Sequence, residues 1–203
     1  MHQGPFSREP RPLTPVMRDE IATLGRRFGP PIVREVPLAD IAFDPVGNPS
    51  RFAEVCMVVR RPSGTLLVSI KTFYPRGAYR LPTGGIDRDE SIFDALLRET
   101  HEETGLAVEP RRFLAALTYL DGPGGAPVFH TFAFLLDEQG GTLGPLDLHE
   151  QIEDYCEIAP ADLEGVADSL DRIANDGAPG IGNWNAWGRF RAHVHRAVFA
   201  ALS

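Results

Sequence analysis

The run from Gly84 to Leu106, GGIDRDESIFDALLRETHEETGL, constrains the local structure of this chain more than any other stretch. The segment Pro82-Thr83-Gly84-Gly85 reads as a turn where backbone can approach another group closely, because glycine has no Cβ and tolerates unusual φ/ψ. Asp89 or Ser91 can cap the helix after it, and Ser91 with Asp94 gives a reciprocal cap. Gly105 suits the position just past a helix end, so the expected helix runs from near Ser91 to near Thr104. Within it Ile92, Phe93, Leu96, Leu97 and Thr100 fall on one arc, which predicts one buried face. Glu99, Glu102 and Glu103 stand at i, i+3 and i+4 on the adjoining edge and should converge on one patch.

Three carboxylates so close repel one another and destabilise an isolated helix, so a sequence that keeps them together is best explained by a cation. All-oxygen ligation selects hard ions such as Mg²⁺ or Mn²⁺ over zinc. Mg²⁺ usually shares substrate phosphates, and a Gly-rich turn beside a carboxylate helix therefore points to phosphate chemistry. A solvated acidic face is the ordinary reading of an isolated Glu-Glu pair.

The string as a whole resembles the signature of the Nudix hydrolases, G-x5-E-x7-R-E-U-x-E-E-x-G-U with U aliphatic. Gly84, Glu90, Arg98, Glu99, Glu102, Glu103, Gly105 and Leu106 match it, and Thr100 replaces the first aliphatic with a residue of similar size. Strand-like runs around the box extend the resemblance over most of residues 53–163. It implies a Nudix-type α/β/α sandwich with a mixed β-sheet. By the same resemblance Glu99, Glu102 and Glu103 coordinate Mg²⁺ or Mn²⁺ or activate water, and the Thr83 carbonyl completes the metal site, at a position where many members carry glycine. Glu90 and Arg98 are supporting residues that orient those carboxylates. The implied activity is hydrolysis of a nucleoside diphosphate linked to a group X, with ADP-ribose or a nucleotide sugar as first choice. A nucleoside triphosphate pyrophosphohydrolase and a non-hydrolysing ligand-sensing module on the same fold are the alternatives.

Around the box, residues 1–14 are Pro-rich and polar and are expected to be disordered or extended. Residues 15–52 form an N-terminal extension, with a helix over 15–28 and a strand over 32–38 that Pro37 assigns to a sheet edge. In nucleotide-sugar pyrophosphatases of the family such an extension helps build a homodimer; packing on its own domain is the alternative. The domain proper spans 53–203. Runs 53–59 and 65–70 form a hairpin about a turn at 60–64, and 79–81 reads as a third apolar run. Runs 112–120 and 128–136 bracket Asp121 to Pro127 as a long hairpin. Its Gly122-Pro123-Gly124 partly matches a proline setting of ADP-ribose pyrophosphatases and reads first as a hairpin tip.

Gly84, Gly85, Arg80 and Arg76 are the candidate substrate contacts, with Lys71 in the same loop. The family often places a further acid in the region after the long hairpin, on a loop, as metal ligand or general base. Glu150 is the candidate, Glu153 the second choice, and His149 and His130 are titratable neighbours to test. A last helix over 187–202 carries Trp187 and Phe190, which with Trp184 read as core anchors before a base-stacking surface. A formal net charge of −8 argues against nonspecific nucleic-acid binding. Cys56 and Cys156 are too few for a disulfide framework and both read as buried thiols. With no apolar run of membrane length, no membrane association is expected and a cytoplasmic location is. The expected ligand is a nucleotide-derived small molecule.

Overall fold

The computed structural model describes residues 9–38, 46, 51–175 and 182–203. Residues 1–8, and with them most of the segment expected to be disordered, lie outside the described residues, as does most of the stretch linking the first strand to the domain. The elements in chain order are α1 (Pro15–Phe28), β1 (Ile32–Leu38), β2 (Ala53–Arg60), β3 (Leu66–Lys71), β4 (Thr83–Gly85), α2 (Ile92–Thr104), β5 (Leu106–Asp121), β6 (Pro127–Gly141), β7 (Ile152–Ile158), α3 (Leu163–Asp171) and α4 (Trp184–Leu202). Seven strands form one mixed sheet in the order β1-β5-β6-β2-β3-β7, with β4 paired to β2.

Strand β2 shows why helices must cover both faces. Successive side chains point to opposite sides of a strand, and here both sides are apolar. Val55, Met57 and Val59 pack with Met17 and Leu24 of α1 and with Ile92, Ala95 and Leu96 of α2. Cys56 and Val58 pack on the other side with Leu163 and Leu170 of α3 and with Trp184, Trp187, Phe190 and Val194 of α4. Each such fully buried side chain stabilises the fold by roughly 1.5–3 kcal/mol. The result is an α/β/α sandwich, as the sequence implies. By the same parity the acid Glu54 shares the α4-facing side of β2 with Cys56.

β1 takes the edge position that Pro37 demands, running parallel to β5. The long hairpin is β5 and β6, antiparallel throughout and longer at both ends than its apolar runs suggest. The helix α1 packs on this same domain, stacking Phe28 on Phe93 and offering Glu20 Oε1 to the Phe93 backbone N–H in the first turn of α2.

Three expectations need correction. The third apolar run, 79–81, forms only an isolated bridge between Arg80 and Ser69, and the strand proper lies at Thr83–Gly85. The region after the long hairpin, expected to be a loop carrying Glu150 or Glu153, becomes strand β7 from Ile152, paired antiparallel with β3. Its mixture of half-buried and exposed residues, with no apolar run, hid it. Cys56 is buried and burial pushes its thiol far up, whereas Cys156 on edge strand β7 is exposed.

β2 and β3 pair only at Arg60 and Leu66 and then diverge. The gap is filled by residues 80–86: Arg80 exchanges backbone hydrogen bonds with Ser69 of β3, the Met57 N–H donates to the Pro82 carbonyl, and Thr83 to Gly85 pair with Cys56 to Glu54. α4 braces this wedge, because His195 Nε2 accepts the Leu81 backbone N–H at 2.9 Å while Nδ1 meets the Arg191 carbonyl at 2.8 Å. The imidazole must be neutral to accept, and burial pulls its pKa down to about 4. A depressed pKa means the unfolded chain takes up the proton first. Stability from this group is therefore complete above about pH 6.5 and is lost as pH falls towards 4, a loss of about 3 kcal/mol. Denaturant unfolding of His195→Gln should show a lower midpoint than wild type at pH 7, and the difference should shrink by pH 4.5.

Candidate active site

The wedge delivers the chain into α2. Ser91 caps the helix as expected: its Oγ accepts the Asp94 N–H at 3.0 Å and donates to the Asp94 carboxylate at 2.7 Å. Asp89, the other candidate cap, instead takes a left-handed backbone conformation in the preceding turn. Gly105 ends the helix at φ 67°, a conformation that favours glycine.

The buried stripe of α2 is rotated from its expected position. Ala95, Glu99 and Glu103 join Ile92, Leu96 and Thr100 in it, while Phe93 and Leu97 lie at its margins. Glu99 is 8 % exposed and Glu103 1 %, whereas the Glu102 side chain is 39 % exposed. The three glutamates are thus divided between a buried pair and an outer member, correcting the single patch. Arg98 connects them: one guanidinium nitrogen reaches Glu99 at 2.9 Å and Glu102 at 3.0 Å, and the other side of the fork holds Glu90 at 2.7 Å and the Gly85 carbonyl at 3.1 Å. Glu90 also accepts the Asp87 N–H, and its pKa is lowered chiefly by Arg98. Glu90 and Arg98 have the geometry of orienting groups.

Gly84 is not a turn residue but part of a strand, and its lack of a Cβ serves a contact. A Cβ there would lie 2.1 Å from Glu99 Cδ, so the Glu99 carboxylate rests directly on the strand backbone. On the far side of Glu103, Lys71 Nζ lies 3.2 Å from Glu103 Oε1 and 2.8 Å from Glu150 Oε2. Glu150 sits in a short 3-10 turn (Leu148–Glu150) before β7. Tyr155 of β7 donates its hydroxyl to the Glu103 carbonyl.

These groups line a cleft of ≈ 190 Å³. Its lining combines Thr83, Gly84, Glu99, Glu103, Glu150 and Lys71 with Arg51, Arg80, Arg191, Tyr74, Phe73 and Trp187. A larger open groove of ≈ 540 Å³ runs between β7 and α3 but contains no box residue, and the charge pattern assigns the chemistry to the smaller cleft.

Burial pushes the Glu99 pKa up to about 7, with Glu103 and Glu150 adding to the rise and Arg98 opposing it. Burial also raises Glu103, and its Oε2 is buried without a hydrogen-bond partner. Burial disfavours the Lys71 ammonium too, yet Glu103, Tyr74 and Glu150 together outweigh it and leave its pKa raised. Among the described residues no three acids converge as a ready metal cage, because Arg98 and Lys71 stand between them. The donor set nevertheless fits a hard divalent cation: carboxylate oxygens alone, one of them orphaned and buried, held at a carbon-free approach beside Gly84.

Of the other candidates, Arg80 and Thr83 are buried in the cleft walls. Arg76 and Glu153 are exposed and do not line the cleft. His149 is exposed, and His130 is buried elsewhere between Thr118 and the Arg11 carbonyl. Trp184, Trp187 and Phe190 are core side chains, with Trp187 forming the floor of the cleft.

Sequence reasoning missed Arg51, Glu54, Tyr74 and Arg191. The legible signal was an acid inside the apolar run 53–59 and an arginine on the apolar stripe of the last helix, each of which needs a buried partner. They find one another, Arg191 Nη1 to Glu54 Oε1 at 2.5 Å, with Thr131 also donating to that oxygen at 2.9 Å. Removing one partner of such a pair costs about 3–5 kcal/mol.

A mixed sheet between helix layers, with a glycine-backed carboxylate helix at a split in the sheet, is an arrangement whose family comparison with known proteins identifies. The family profile of the NUDIX domain matches residues 50–178, well over half of the chain, and the chain belongs to the Nudix family. The NAD-capped RNA hydrolase NudC of Vibrio parahaemolyticus is 31 % identical over 121 residues, covering 58 % of this chain and 40 % of that protein. The phosphatase NudJ of Escherichia coli is 27 % identical over 99 residues, 49 % of this chain and 62 % of that one. The chain thus spans less than two thirds of these relatives. Among solved structures, the MutT NUDIX hydrolase from Burkholderia pseudomallei has a TM-score of 0.48 at 19 % identity, covering 75 % of this chain and 98 % of its own. An ADP-ribose pyrophosphatase from Streptococcus suis has 0.42 at 17 %, with 74 % and 90 % covered. No helix of the described residues is long and apolar enough to cross a membrane.

Gly84→Ala should leave the melting temperature within a few degrees of wild type, since the displaced group is the end of a flexible side chain. It should weaken Mn²⁺ binding at least tenfold by titration calorimetry, because Glu99 can no longer rest on the strand.

Proposed function

We propose that this chain is a divalent-metal-dependent pyrophosphohydrolase acting on a nucleoside diphosphate linked to a further group, with ADP-ribose and nucleotide sugars as the first substrates to try. The observation that carries the reading is the buried Glu99–Glu103 pair sharing one cleft with Glu150 and with the guanidiniums of Arg51, Arg80 and Arg191. Glu99 and Glu103, with Glu102 at the outer edge and the Thr83 carbonyl behind, would hold Mg²⁺ or Mn²⁺. When bound, the ion would neutralise charge on phosphate oxygens and lower the pKa of a coordinated water.

The chain's own contribution is positioning. Arg98 fixes Glu99 and Glu102 in one orientation through a fork shared with Glu90 and the Gly85 carbonyl. Lys71 holds Glu103 and Glu150 apart while screening their repulsion. Glu150 lies on a short turn between β6 and β7 rather than inside a regular element, and it takes the general-base role. Arg51, Arg80 and Arg191 in the same cleft present fixed donors where phosphate charge develops. Names of relatives such as the NAD-capped RNA hydrolase and the ADP-ribose pyrophosphatase support a nucleotide-derived substrate without fixing X.

The test is a substrate panel of ADP-ribose, nucleotide sugars, dinucleoside polyphosphates and deoxynucleoside triphosphates, assayed with Mg²⁺ or Mn²⁺ and with products identified. Glu103→Gln should lower turnover by at least 10³ and Glu150→Gln by 10–10², with near-wild-type melting temperatures. Glu102→Gln should remove most Mg²⁺-dependent turnover. Turnover in wild type that survives EDTA would falsify the metal assignment.

A further inference from the structure

The arginine cluster lining the cleft is stronger than its one buried acidic partner requires. Arg51, Arg80 and Arg191 all act on one buried acid, Glu54. Burial works against the charge of Glu54, and the three guanidiniums, Arg191 foremost, more than offset it and leave its pKa lowered. Arg80 is 2 % exposed, yet every acceptor it meets is neutral, namely the Tyr74 hydroxyl at 3.0 and 2.9 Å and the Leu81 carbonyl at 2.7 Å. Arg191 is 4 % exposed and its Nε is buried without a hydrogen-bond partner. Arg51 lies over the wedge, where a Cβ on Gly85 would come 3.0 Å from its Nη2. Among the described residues no carboxylate lies within ion-pair distance of Arg51 or Arg80. A buried guanidinium left with neutral or missing acceptors is costly unless an anion completes it.

Arg51, Arg80 and Arg191 come from three separate parts of the chain, just before β2, the wedge and α4. They meet around one cleft too small for a whole nucleotide, since ligand sites usually span about 300–1,000 Å³. We propose that these three arginines form a phosphate seat that works without metal. It rests on the hydrolase reading above and holds the phosphate of the diphosphate that lies away from the box carboxylates. Glu54 is a positioning residue that locks the Arg191 fork through Oε1, and Trp187 and Tyr74 close the floor behind it. Aromatic contact of Tyr74 with Trp187, at 4.7 Å between ring centroids, keeps that floor rigid.

Inorganic pyrophosphate in EDTA is the probe, followed by titration calorimetry on the full chain. Wild type should bind it. Arg51→Met, and the double variant Glu54→Gln with Arg191→Met, which removes both charges of the buried pair together, should each weaken binding tenfold or more. Glu103→Gln, which removes a carboxylate from the same cleft, should bind at least as well as wild type. If the double variant fails to fold, Arg51→Met decides alone, because no buried ion pair depends on it. Pyrophosphate binding unchanged in Arg51→Met, or absent in wild type, overturns the seat. Metal-dependent turnover on the substrate panel is a separate readout: its absence sinks the hydrolase reading while arginine-dependent pyrophosphate binding still stands.

Discussion

Strand β2 parts from β3 after one residue pair, and its remaining backbone donors and acceptors must be met by something else, since a buried strand cannot leave them open. Residues 80–86 meet them, hydrogen-bonding to β3 on one side and β2 on the other. This substitution organises the active cleft. It carries Arg80 and Thr83 into the gap, lays Gly84 flat against Glu99, and launches α2 at the angle that brings its glutamates to the split. The same wedge gives α4 something to brace, through His195 on the Leu81 amide. Fold and site are therefore one arrangement.

The cleft is electrostatically two-sided. Glu99, Glu103 and Glu150 share the cleft with Arg51, Arg80 and Arg191, with Lys71 bridging two of the acids and Glu54 paired to Arg191. Both sets hold charge in a poorly solvated place, which raises the pKa values of Glu99 and Glu103 and leaves Arg191 Nε unsatisfied. Such an arrangement is unfavourable on its own, and a ligand of mixed sign, as the proposed function requires, would relieve it. Arg98 and Lys71 keep the acidic wall from flying apart in the meantime.

Much of this was legible from residue order. The box made the helix and its caps legible, because capping is local, and the Arg98–Glu102 contact follows from i, i+4 geometry. Pro37 assigned β1 to an edge through the missing N–H. What stayed hidden is what depends on long-range pairing. Glu99 reads as one of three equivalent acids until Gly84 is folded against it, and only then do Glu99 and Glu103 separate from Glu102. Glu54 and Arg191 are 137 positions apart, and nothing local says that they touch. β7 went unread because it lacks a continuous apolar run.

The recognisable family segment stops at residue 178, before α4 begins. Yet α4 supplies the imidazole that satisfies the Leu81 amide, the guanidinium that neutralises Glu54, and the tryptophan under the cleft. A chain trimmed to the homologous portion would keep every signature residue and lose the partner of a buried acid. The autonomous folding unit is thus larger than the portion that sequence kinship outlines, and minimal versions of this protein should be cut by contact, not by alignment.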